Sequence, residues 1–103
     1  MSKHENYDME KLYKVRRMAR KLGLKGEVAI SNKPEKKYRY YKEDGDVVYF
    51  GNSKILDYLD TKDAIKRNLM RQKLEKLKTT RGKRKVDILE SSTYLSYNIL
   101  WGI

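Results

Sequence analysis

The sequence predicts an α+β fold: a small antiparallel sheet of two to three strands with an Asp-Gly hairpin, packed against two longer helices and a short C-terminal helix. Three observations predict it. Leu12, Val15, Ala19 and Leu22 recur at spacings of three and four, the signature of one helix face. Two β-prone runs, KKYRYY and VVYF, flank Asp44-Gly45. A second helical stripe runs through Ile65, Leu69, Met70, Leu74 and Leu77. At 103 residues the chain forms one domain, residues 1–103. Nine tyrosines among 39% hydrophobic residues suit a small core near solvent, since Tyr buries its ring and keeps its hydroxyl wet.

Taken in order, residues 1–7 are expected to fray, and the first helix runs from Asp8 to Leu22 with Gly23 as its stop. Glu27 to Ser31 forms a short strand, and Asn32-Lys33-Pro34 breaks it. Asp44-Gly45 suits a two-residue type I′ turn. That turn sets Glu43 against Asp46, Tyr41 against Val48 and Tyr40 against Tyr49, although the two acids beside the turn repel one another. Asn52 or Ser53 caps a short helix through Leu59, and Asp60 or Thr61 caps a longer one from Lys62 to about Lys78. Residues 79–86 include no apolar residue before Val86 and read as a mobile basic loop. Ser91 or Ser92 caps a last turn or two, and Trp101 pins the end into the core.

Charge is concentrated. Residues 62–85 carry eleven Lys/Arg against two acids, while the whole chain is +11. Two acids cannot neutralise eleven cations, so this segment points to an anionic partner, either nucleic acid (DNA or RNA) or an acidic protein surface, beside the plainer reading of a solubilising surface. The candidate phosphate contacts are Arg67, Arg71, Lys73, Lys78, Arg81, Lys83, Arg84 and Lys85, with Arg16, Arg17 and Arg20 extending the footprint. Tyr38, Tyr40 and Tyr49 are candidates for base stacking on a sheet face, beside the plainer reading that they pack the core.

Other chemistry finds few parts. With no cysteine there is neither a disulfide nor a thiolate metal site. The lone His4 falls in the expected frayed tail, and no G-x-G-x-x-G or Walker-type loop occurs, so neither enzymatic activity nor a cofactor is expected. Asp57, Asp60 and Asp63 are spaced by three and could together hold Mg²⁺. Helix capping and ion pairing, with Lys54 or an arginine of the basic helix as partner for Asp57, account for them more simply. No apolar run is long enough to span a membrane, and the opening MSKHENYDMEKLYK has no apolar core of a signal peptide.

Two clusters carry a resemblance: KKYRYYKEDGDVVYFGNSKILDYLDTKDAIKR, and the terminal YLSYNILW. In this order, from about Lys36 to Trp101, they resemble a family of small, uncharacterised basic proteins of large nucleocytoplasmic DNA viruses, whose leading helix the upstream ARKLGL also fits. Members often have His where this chain has Tyr49 and Thr61. The resemblance implies a viral setting, with the protein in the cytoplasm or viral factory of an infected host cell and in the virion, but no activity. Together with the charge, it makes the expected function that of a non-enzymatic viral nucleic-acid-binding accessory protein with little sequence preference. The alternatives are a minor capsid or virion structural protein that meets acidic protein surfaces, and a metal-dependent nuclease built on the three aspartates.

Overall fold

The computed structural model describes the backbone of residues 3–102 and the side chains of residues 9–102. Helix α1 (Lys3–Lys21) precedes an antiparallel sheet of three strands, β1 (Glu27–Ile30), β2 (Lys36–Tyr41) and β3 (Val47–Asn52), in spatial order β1-β2-β3. Helices α2 (Tyr58–Thr61) and α3 (Ala64–Glu75) follow, then a 3₁₀ turn over Lys85–Asp87. Helix α4 (Ser92–Leu95) runs directly into a π-helical turn, Ser96–Leu100. The α+β class is the one the sequence predicts. Helix α1 begins at Lys3, within the stretch expected to fray. Met1 and Ser2, and the side chains through Asp8 with His4 among them, lie outside the described residues.

The apolar face of α1 buries Leu12, Val15 and Ala19 against Val28, Tyr38, Tyr40 and Phe50 of the sheet and Leu95, Ile99, Leu100 and Trp101 of the C-terminal segment. Leu22, expected on that face, is left 37% exposed, and Leu24 beyond the helix is buried instead. Trp101 is buried, as expected of a residue that anchors its end of the chain. Helix α3 reaches the core only through Met70 and Leu74, leaving Ile65 75% and Leu69 55% exposed.

The hairpin differs from expectation by one residue. Tyr41 pairs with Val47, Tyr40 with Val48, Arg39 with Tyr49 and Tyr38 with Phe50. The Lys42 amide donates to the Asp46 carbonyl at 2.8 Å, so Glu43, Asp44 and Gly45 form a three-residue loop. Gly45 takes the left-handed conformation (φ 95°) that such a loop requires. The physical reason is local. A two-residue turn opposes Glu43 to Asp46, whereas this loop opposes Lys42 to Asp46 and lets the Asp44 carboxylate accept the Asp46 amide at 2.9 Å. Side chains alternate across a strand, so the one-residue slip turns all of β3 over relative to β2. Val48 and Phe50 now join Tyr38 and Tyr40 on the core face, while Tyr49 joins Arg39 and Tyr41 on the other.

Tyr40 ties three segments together. Its buried hydroxyl accepts the Gly26 amide at 2.9 Å and donates to the Glu90 carboxylate at 2.6 Å. Burial, and then the bond to Glu90, push its pKa up to about 12. A phenol whose pKa rises on folding stabilises the fold below its unfolded value near 10 and loses that contribution as the pH climbs through 12. Tyr40→Phe is expected to cost about 1–3 kcal/mol at neutral pH, because the Gly26 amide loses its acceptor. Urea unfolding from pH 9 to 12 should show the wild type losing on the order of 2 kcal/mol more than the variant. Parallel curves would dismiss the role given to the hydroxyl.

Candidate nucleic-acid interface

The basic segment begins at a pair of caps. Asp57 is the N-cap of α2: its carboxylate accepts the Leu59 and Asp60 amides, and Asp60 reciprocates on the Asp57 amide. Asp63 caps α3 by accepting the Ile65 and Lys66 amides, in place of the expected Asp60 or Thr61. Lys62, in the left-handed conformation (φ 58°), separates the two helices. Likewise Asp57, not Asn52 or Ser53, caps the short helix, and Ser91 caps α4. The longer helix ends at Glu75, short of the expected Lys78.

The segment from Thr79 to Lys85, part of the mobile basic loop expected over residues 79–86, closes on itself through hydrogen bonds. The Thr79 amide donates to the Lys83 carbonyl at 2.9 Å, and the Lys85 amide to the Leu77 carbonyl at 2.9 Å. Lys78 and Arg84 pair as an antiparallel bridge. The Thr79 hydroxyl accepts the Arg81 and Lys83 amides inside the turn. Val86 is buried just beyond, so the hairpin is anchored at its exit. Threonine at position 79 and glycine at position 82 are the sequence signals for this closure, and they are easily missed amid so much charge.

Of the eleven candidate cations, three serve the fold. Arg16 donates from Nε to the Val28 carbonyl at 2.8 Å, fastening α1 to β1. Arg71 donates from Nη1 to the carbonyls of Tyr97 and Trp101 at 3.0 and 2.9 Å, with its guanidinium 3.8 Å from the centre of the Tyr97 ring. It thus caps the end of the π-helical turn, where a cation complements the exposed carbonyls. The Tyr97 hydroxyl donates to the Glu75 carboxylate, so α3 grips the C-terminal segment with two side chains. Burial, and then that bond, raise the pKa of the Tyr97 hydroxyl. Arg67 lies over the Tyr58 ring at 5.1 Å.

The other eight, Arg17, Arg20, Lys73, Lys78, Arg81, Lys83, Arg84 and Lys85, are exposed. Arg84 holds the exposed Asp87 through two hydrogen bonds at 2.9 and 3.2 Å, which lower the Asp87 pKa. Lys62, Lys66 and Lys76 are exposed too and belong with this set. The density of cations along α3 was the signal for Lys66 and Lys76; the helical wheel was not, since Lys66 lies one turn before Met70, a position that α3 turns inward, and Lys76 is the C-cap of α3. Arg17 and Arg20 lie on α1, which packs on β1 and the π-helical turn, whereas α3 packs on α2 and the 3₁₀ turn. The two basic faces therefore sit on different parts of the scaffold.

Tyr38 and Tyr40 are corrected as stacking candidates. They are 3% and 0% exposed, and their rings fill the core, where Tyr38 meets Phe50 with ring centres 5.6 Å apart. Tyr49 is half-buried on the outer sheet face, its hydroxyl donating to the Asn32 side chain at 2.8 Å.

The aspartates do not gather as metal ligands. The buried Asp57 carboxylate receives the ammonium groups of Lys11 and Lys37, each at 2.8 Å, and Asp60 receives Lys11 at 2.8 Å. Asp63 faces its own helix. Neither Lys54 nor an arginine of the basic helix is the partner of Asp57. Burial lowers the Lys11 pKa, but its hydrogen bonds and proximity to Asp57 and Asp60 outweigh this and leave it raised. Among the described residues no three His, Cys, Asp or Glu side chains are grouped to hold a metal ion. Among them, too, no helix is long and apolar enough to cross a membrane.

Residues 26–73 are similar to a family of unknown function (DUF5754). The match spans the sheet, α2 and most of α3, and it stops before the Thr79–Lys85 hairpin. No curated protein matches the chain, and no solved structure does.

Proposed function

We propose that this is a non-enzymatic nucleic-acid-binding accessory protein of a large nucleocytoplasmic DNA virus, working in the infected cell and contacting phosphates with little regard to sequence. One observation carries the reading. Lys66, Lys73, Lys76, Lys78, Arg81, Lys83 and Lys85 crowd one helix and the hairpin after it, all exposed, and none has an acidic partner within 4.0 Å among the described residues. The inward turn of Arg67 and Arg71 narrows the contact set to these lysines and Arg81, with Arg84 shared with Asp87. Lysine-rich contact of this kind neutralises phosphate charge and fixes no base.

Binding is expected to weaken steeply with salt, the slope of log K against log salt being about −0.9 per phosphate on duplex DNA. Replacing Lys78, Arg81, Lys83 and Lys85 together with glutamine should shallow that slope by up to about 3.6 and lower affinity on the order of tenfold or more at about 0.15 M salt. The hairpin closes through backbone groups and Thr79, so these substitutions leave it intact. A flat salt response in the wild type, or the same slope in the quadruple variant, would remove the proposal.

A second reading is favoured by Ile65 and Leu69, exposed among the lysines of α3. Apolar residues in a basic field suit a virion structural protein seated on an acidic protein surface. Purified particles separate the two: recovery with the genome supports the first reading, and regular shell positions support the second.

A further inference from the structure

We infer that the outer face of the sheet is a stacking platform for the unpaired bases of single-stranded nucleic acid, formed by Tyr41, Arg39 and Tyr49. The inference rests on the nucleic-acid reading above and gives it a substrate class.

The hairpin register assembles the platform. Arg39 pairs across the sheet with Tyr49 on one side and Ala29 on the other, and Tyr41 follows two residues along the same strand. The next row is therefore about 7 Å away, roughly twice the 3.4 Å step of a stacked strand and suited to one that is spread out. Tyr41 is 39% exposed and Val47 opposite it 40%, so the face is open to solvent. The Arg39 guanidinium lies 5.4 Å from the Tyr41 ring centre, and its Nε is covered without a hydrogen-bond partner. Arg39 is partly buried on this face. Next to Tyr41 and across the sheet from Tyr49, it adds a third planar group to the face, and guanidinium planes stack bases as aromatic rings do.

Lys33, from the β1–β2 connection, lies over the Tyr49 ring, 4.2 Å from its centre, at one end of the platform, and this exposed side chain swings aside when a base stacks there. Glu27 flanks Tyr41 at the other end, and the Glu43–Asp46 turn follows it. Phosphates therefore run along the Lys33 and Arg39 side. Residues 25–61 hold seven cations and seven acids, so this face lacks the excess charge of the basic segment. Ala29, beside Arg39 on β1, is small and adds little bulk to that side of the face. A duplex keeps its bases inside the stack and cannot use such a face.

The test compares a labelled oligothymidylate of about fifteen nucleotides with a duplex of equal length, by fluorescence anisotropy at about 0.15 M salt. Tyr41→Thr with Tyr49→Thr keeps strand propensity and removes both rings. This variant should bind oligothymidylate on the order of 10- to 100-fold more weakly, with duplex affinity and both salt slopes unchanged. Tyr41→Phe with Tyr49→Phe keeps the rings and should bind as the wild type does. If the double threonine variant does not fold, each single variant carries the comparison at about tenfold. Undiminished oligothymidylate binding by the threonine variants overturns the inference while leaving the basic-segment reading intact. So does an equal loss on the duplex, or a matching loss in the phenylalanine pair. Absence of salt-dependent binding of either probe to the wild type overturns both.

Discussion

Asp57→Ala destabilises the protein by about 3–5 kcal/mol, the cost of breaking a buried ion pair from one side. Asp57 is 1% exposed and its carboxylate answers two ammonium groups at 2.8 Å, from Lys11 on α1 and Lys37 on β2. Without it, Asp60 alone faces two buried cations. The same carboxylate caps α2, so alanine also frees the Leu59 and Asp60 amides. Asp57→Asn separates the two effects, since asparagine caps about as well as aspartate. It should recover only the capping part, about 1 kcal/mol. A domain of this size holds roughly 5–15 kcal/mol in all, so the alanine variant should melt at least about 12 °C lower. Calorimetry of the two variants beside Asp87→Ala, which breaks only the exposed pair with Arg84, decides the matter. If Asp57→Ala behaves like Asp87→Ala, the buried network does not hold α1, the sheet and α2 together.

Gly26→Ala should cost about 3 kcal/mol or more, and the cause is space, not backbone conformation. A methyl group there would stand 2.1 Å from the Tyr41 carbonyl oxygen and 2.6 Å from the Tyr40 ring. A carbonyl in a paired strand cannot move aside without parting β1 from β2. Any shift also separates the Gly26 amide from the Tyr40 hydroxyl and disturbs the link to Glu90. Gly45→Ala is the control: nothing lies within 4 Å, so only the left-handed conformation is penalised, by about 1–2 kcal/mol. Urea unfolding followed by the fluorescence of the buried Trp101 reports both. A Gly26→Ala loss no larger than that of Gly45→Ala would mean that the strands part more easily than this geometry allows.

What was legible in the sequence was what periodicity and turn chemistry encode. The α1 stripe, the Asp-Gly hairpin, the anchoring Trp101 and the basic helix all follow from local spacing. The register was harder, because one residue of loop length reverses every side chain of β3. The hint was present in Glu43 and Asp46, whose repulsion disfavours the shorter turn. That reversal put Tyr49, not Tyr38 or Tyr40, on the outer face, and gave it Arg39 and Tyr41 as neighbours. Long-range electrostatics were not legible at all. Lys11 meets Asp57 across 46 residues of chain, and no local pattern announces a buried lysine. Arg67 and Arg71 read as surface charge because a helix face shows which residues lie together but not what they pack against.

The closed Thr79–Lys85 hairpin bears on the thermodynamics of recognition. A disordered basic tail binds with a large entropic penalty, because about 1–2 kcal/mol of backbone freedom per residue is lost on contact. Here the backbone already shares hydrogen bonds within the hairpin, so less of that freedom is left to lose on contact, beside lysine and arginine rotamers at about 0.5–1.5 kcal/mol each. Titration calorimetry on a polyanion should accordingly show a small heat-capacity change and none of the large unfavourable entropy of coupled folding. A charge run in the sequence thus becomes a closed turn, joined by a single threonine hydroxyl and a handful of amides.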